Sequence, residues 1–116
     1  MPFFKSLPEN AGPPAVFFKY PKIYGPWSSM SQEMMNGLSP LSQGEREMIL
    51  AFAAGAAGCK FVFGAHSEVA YAWGIKKGVL DELMENVATS SVDEKLKPLL
   101  AYVRKLVAAD RKLTSN

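Results

Sequence analysis

The stretch Ser42-Gln-Gly-Glu45-Arg-Glu47-Met-Ile-Leu-Ala-Phe-Ala-Ala-Gly-Ala-Ala-Gly58-Cys59-Lys-Phe-Val62-Phe-Gly-Ala-His66 decides how this chain folds. Ser42 followed three residues later by Glu45 is a capping box, a reciprocal pair that satisfies two orphan donors at a helix start. Beyond its first turn the following segment is apolar on every side, which marks a central, buried helix. Gly58 stands where a glycine C-cap belongs. A second helix begins at about Cys59 and runs to Trp73, and Gly74 ends it. The expected centre is an antiparallel hairpin over about 42–57 and 59–73. The near-apolar run from Met48 to Ala65 does not read as a membrane span. Lys60 interrupts it, at a cost of about 2.5 kcal/mol or more in a bilayer, and three glycines weaken it.

Working outward, residues 1–14 carry Pro2, Pro8, Pro13 and Pro14 and read as an extended arm. Its Phe3, Phe4 and Leu7 are expected on a domain surface or a neighbouring subunit. A single helical domain then occupies 15–116. From Ala15 to Gly37 the pattern is helical but broken, with Pro21 and Pro26 interrupting it before a helix through Met30, Met34 and Met35. Val79 to Asn86 is a shorter helix with Leu80, Leu83 and Met84 at core spacing. A second capping box, Ser91-Val-Asp-Glu94, opens the last helix, whose start Pro98 delays or kinks. Leu99, Leu100, Tyr102, Val103, Leu106 and Val107 give that helix an apolar face to about Asp110. No alternating strand pattern competes, so the fold class is all-α.

Composition narrows the function classes. Of 116 residues 48% are hydrophobic and 21% charged, enough for a packed core. Thirteen basic and eleven acidic residues leave a net charge of +2 with no basic stripe, which argues against a nucleic-acid partner. The lone cysteine excludes an internal disulfide framework. The N-terminus lacks a signal-peptide pattern, so a cytoplasmic address and no membrane association are expected.

Three reactive side chains fall in the hairpin. Counting back from Gly58, Glu47 lies about 16 Å down one helix and His66 about 12 Å down the other, at about 1.5 Å per residue. In an antiparallel pair they end within about one turn of each other. A carboxylate beside an imidazole orients the ring for proton transfer. Cys59 opens the second helix, where free N–H groups favour the reactive thiolate form, and it shares a face with His66. Seven residues separate the two by about 10 Å along the axis, too far for a direct hydrogen bond. Each residue also has a plain reading. Cys59 can be a small buried hydrophobe, His66 a satisfied core histidine and Glu47 a solvated first-turn acid. The methionines read as core filler. Phe17, Phe18, Tyr20, Tyr24 and Trp27 pack a first helix or line a pocket, Trp73 packs, and Lys76-Lys77 is a solvated turn.

The run from Glu47 to His66 resembles the signature of the AhpD-like alkylhydroperoxidase and carboxymuconolactone decarboxylase family: a Glu, then twelve residues on Cys-x-x-Cys-x-x-x-His. The Leu-Pro-Glu-Asn opening, the Ser-Pro-Leu-Ser before the central helix and the Lys-Pro-Leu-Leu-Ala-Tyr-Val-Arg-Lys-Leu near the end are similar to its peroxidase-related subgroup. The resemblance implies a helical bundle and hydroperoxide reduction by cycling cysteines, with Glu47 and His66 as proton relay, Cys59 as first cysteine and no cofactor or metal. Val62 occupies the second cysteine's place, so the family's intramolecular disulfide cannot form. The resemblance also implies further helices beyond Lys112. Without them, a homo-oligomer is expected to cover the last helix, and an external thiol reductant to regenerate Cys59. Two other readings stand beside this one: carboxymuconolactone decarboxylase-like proton transfer by His66 and Glu47 without a thiol, and a catalytically inactive oligomeric or ligand-binding relative.

Overall fold

In the computed structural model, residues 4–108 are described. They form six helices and no strand among the described residues: α1 (Pro13–Lys19), α2 (Pro21–Asn36), α3 (Gln43–Ala56), α4 (Lys60–Ala72), α5 (Val79–Glu85) and α6 (Lys97–Val107), with a 3-10 turn at Glu94–Leu96 before α6. The all-α expectation is met. The chain falls into two compact units, one ending at Leu38 and the other starting at Ser39.

The first unit is a helix pair. Pro13 and Pro14 open α1 and Pro21 opens α2, since proline suits a first turn whose N–H has no helical partner. Residues 4–11 turn rather than extend: Leu7 N–H bonds to the Phe4 carbonyl and Ala11 N–H to the Pro8 carbonyl. The expected break at Pro26 does not occur. It falls at Tyr20 instead, and α2 continues through Pro26. The side-chain-free Gly25 just before it relieves the clash that proline makes with its predecessor. The Phe17, Tyr24 and Trp27 rings pack together at centroid distances of 4.7 to 6.1 Å. Met30 and Met34, expected as core filler, are exposed, because α2 is apolar on a face that α1 does not cover. Pro2, Phe3 and the expected helix end at Asp110 lie outside the described residues.

The second unit is built on α3 and α4. The Ser42–Glu45 capping box forms: the Ser42 hydroxyl accepts from Glu45 N–H at 3.1 Å, and Ser42 N–H donates to Glu45 Oε2 at 2.8 Å. Gly58, with φ +83°, ends α3 as a left-handed cap. Cys59 N–H then bonds back to the Ala54 carbonyl and Gly58 N–H to the Gly55 carbonyl, the paired bonds of a Schellman motif. Gly74 closes α4 in the same way, with Ile75 N–H on the Ala70 carbonyl. Met48, Ala51 and Phe52 of α3 form the core with Ala70, Leu80, Leu83, Leu96 and Leu100.

Two expectations for the C-terminal part fail. The Ser91–Glu94 capping box does not form. Asp93 caps the 3-10 turn instead, accepting from Lys95 N–H at 3.1 Å, because Glu82 has taken the Ser91 N–H at 2.6 Å. Of the expected α6 face, Leu100 and Val103 are buried, while Tyr102 and Leu106 are exposed. Trp73, expected in packing, is half exposed, since it caps α4 where the chain leaves the bundle. Pro98 sits in the first turn of α6, where it fits.

Candidate functional site

The Schellman turn at Gly58 fixes the register of α4 against α3, and that register sets the site. Eleven residues before Gly58, Glu47 points from α3 toward α4. Eight residues after it, His66 meets Glu47: Nδ1 lies 2.5 Å from Oε2. Glu47 is 8% exposed, so it is a buried acid with its partner in place, not a solvated first-turn residue. The His66 side chain keeps a third of its surface in solvent. With Glu47 ionised, Nδ1 carries the proton that it donates, and Nε2 is left with a lone pair for proton transfer.

Cys59 is the N-cap residue of α4 and its side chain is exposed, which excludes the buried-hydrophobe reading. Its backbone is held at both ends: N–H to the Ala54 carbonyl at 2.8 Å, carbonyl to Phe63 N–H at 3.0 Å. The thiol makes no cap hydrogen bond, so it is free to meet a solute. Val62, one turn before His66, is half-buried. The structure thus pairs two of the three expected site residues, Glu47 and His66, directly. It sets the third at the head of the helix that carries His66.

Gly55 brings the helices this close. A Cβ there would stand 2.7 Å from the Phe63 ring and 2.8 Å from Met84 sulfur. Ser67, one residue past His66 and buried, donates to the Phe63 carbonyl at 2.6 Å and so adds no free hydroxyl. Among the described residues no three His, Cys, Asp or Glu side chains are placed to share a metal ion.

Sequence reasoning missed Arg104. Its Nη2 donates to the Leu83 and Met84 carbonyls at the end of α5, at 2.9 and 3.1 Å, and its guanidinium lies 5.2 Å from the Phe52 ring centroid. The signal was faint: an arginine in the last turn of an amphipathic helix is usually a solvated flank. Here it ties α6 to α5 and to the α3 core.

No protein family, curated protein or solved structure matches the chain. No helix among the described residues is long and apolar enough to cross a membrane.

Proposed function

We propose that this protein is an AhpD-like, peroxidase-related hydroperoxide reductase with a one-cysteine site. The observation that carries the reading is the Glu47–His66 hydrogen bond across the α3–α4 hairpin, on the helix whose N-cap is an exposed thiol. Cys59 thiolate attacks the terminal peroxide oxygen. The O–O bond breaks, sulfur is oxidised to a sulfenic acid, and the alkoxide leaves. His66 supplies the proton that makes it an alcohol, through a water that spans about 10 Å of helix. Glu47 holds the imidazole and stabilises its charge when it takes up the next proton. With valine at 62, no second cysteine can close a disulfide. An external thiol condenses with the sulfenic acid, releasing water, and a second thiol reduces the mixed disulfide. The partners of this reading are that thiol reductant and a further copy of the chain, in a reducing compartment such as the cytoplasm.

The test is peroxide consumption with a dithiol present. Loss in Cys59→Ser and a drop of about 10²-fold in His66→Ala agree with the reading. Consumption unchanged in Cys59→Ser removes it.

A second reading rests on the same hydrogen bond without the thiol. Glu47 and His66 form a complete carboxylate–imidazole pair, about 10 Å along α4 from the sulfur, which suits lactone decarboxylase-like proton transfer. Activity that survives Cys59→Ser and is lost in His66→Ala would favour it. Val62, in turn, favours an inactive relative, which would show neither activity.

A further inference from the structure

Each unit, taken by itself, leaves one helix with an uncovered apolar stripe. On α2 the stripe is Ile23, Trp27, Met30 and Met34, all exposed. At 100° per residue these four lie within about 60° of one another. On α4 it is Phe61, Ala65, Val69 and Ala72, also exposed. Both stripes run eleven residues, about 16 Å. Solitary apolar residues on a surface are ordinary, but two aligned rows of matching length are the shape of a helix–helix seam.

Charge sets the direction. Glu33 lies beside the end of the α2 stripe, and Lys60 beside the start of the α4 stripe. Each falls on the same rotational side of its row. Antiparallel helices bring like flanks together, whereas parallel helices bring opposite flanks together. Only the antiparallel docking therefore sets Glu33 against Lys60, with Met34 over Phe61 and Ile23 over Ala72.

Chain connectivity sets the partner. In that docking the end of α2 lies at the Gly58 end of the hairpin. The start of α3 lies about 20 Å away along the bundle, and more once the width of a helix is added. Seven Cα steps join Asn36 to Gln43 and would reach about 23–25 Å only if fully straight. The linker instead bends at Gly37, Leu38, Pro40 and Leu41, and Leu41 N–H is tied to Ser39 Oγ. A chain's own α2 cannot reach this seam, but that of a second copy can.

We propose that two copies of this chain form a closed, arm-exchanged dimer, in which α2 of each packs antiparallel on the Phe61–Ala72 stripe of the other. The exchange makes two identical seams and closes by two-fold symmetry. The other flank of the α4 stripe carries Val62 and His66, so the incoming helix roofs the exposed edge of the histidine. The seam concerns surfaces alone and stands whether or not Cys59 reacts.

Charge reversal in the full-length chain tests it, read by sedimentation velocity. Wild type is expected to be dimeric at a concentration of order 100 µM. Glu33→Lys and Lys60→Glu each weaken the dimer about tenfold over the two seams. An equimolar mixture of the two variants restores wild-type affinity, because every seam in the mixed dimer again pairs opposite charges. Both positions are exposed, and unchanged helical circular dichroism shows that the variants fold. A monomeric wild type, whatever other protein then occupies the stripe, overturns the proposal. So does a mixture no tighter than either variant alone, the result expected if α2 docks within its own chain or elsewhere.

Discussion

His66 Nδ1 and Glu47 Oε2 meet at 2.5 Å although nineteen residues separate them in sequence. The pairing is a matter of register: the Gly58 turn is tight enough that a residue eleven before it faces one eight after it. Glu47 is buried, so removing either partner exposes the other to an environment built for two. Glu47→Gln keeps the shape and a hydrogen-bond acceptor but loses the charge that stabilises a protonated ring. We expect turnover to fall about 10²-fold and thermal stability to fall by about 1–3 kcal/mol. Steady-state rates and melting curves of the variant check both. A variant with wild-type turnover would show that the pair is structural.

Val62 is the position at which the site departs from a Cys-x-x-Cys pair. It lies one turn into α4, three residues from the N-cap Cys59, so the two Cα atoms are about 5–5.5 Å apart, inside the range a disulfide spans. Val62→Cys is therefore expected to form an intramolecular disulfide on mild oxidation, seen as the loss of two hydrogens by mass and of reactivity toward alkylating agents. Under the proposed function it also frees turnover from the external resolving thiol, raising the rate about tenfold or more at low thiol concentration. Two free thiols that persist in oxidised protein would show that the head of α4 does not have this geometry.

Gly55 predicts a cost with a counterintuitive sign. Alanine is about 1 kcal/mol better than glycine inside a helix. At this position, though, the added methyl meets the Phe63 ring at 2.7 Å and Met84 sulfur at 2.8 Å. The methionine can move, but the ring, wedged between α3 and α4, can do so only by parting the helices. Gly55→Ala should destabilise the protein by about 1–3 kcal/mol net of the propensity gain. It should also loosen the Glu47–His66 contact, visible as reduced activity in protein that is still folded. A variant as stable as wild type would mean that the hairpin tolerates a wider spacing.

The features legible in the sequence share one property: their cause is local or can be counted. The Ser42–Glu45 box and the glycine caps at 58 and 74 are short-range codes, and the Glu47–His66 meeting follows from helical rise on either side of a known turn. What escaped was decided by distant partners. Ser91 looked like a cap, but its N–H is taken by Glu82, nine residues away. Arg104 looked like a solvated flank, yet it binds carbonyls twenty and twenty-one residues back. Met30 and Met34 are apolar and periodic, and periodicity shows which face of a helix avoids water without saying which surface covers it.

Glu45 ties acid stability to the same capping box. The Ser42 N–H bond is the largest influence on its carboxyl and, with Lys95 Nζ at 3.2 Å from Oε1, holds its pKa below the ordinary 4.5. A carboxyl whose pKa is lowered by folding contributes stability that is complete above the unfolded value. That contribution drains away as pH falls through 4.5 and then through the lowered folded value. Wild type should thus lose stability on acidification through this window. Glu45→Gln, which keeps a side-chain acceptor for Ser42 but has no proton to gain, should start lower at neutral pH by up to about 0.5 kcal/mol, discounted for solvent screening. The two melting-temperature curves should then converge at the acid end. Some slope remains in the variant, because the Ser91 hydroxyl and N–H also hold the Glu82 carboxyl below its ordinary value. Melting temperatures across this pH range for both proteins decide the matter: parallel curves would mean that the Glu45 charge does nothing for the fold, and that the box works through its hydrogen bonds alone.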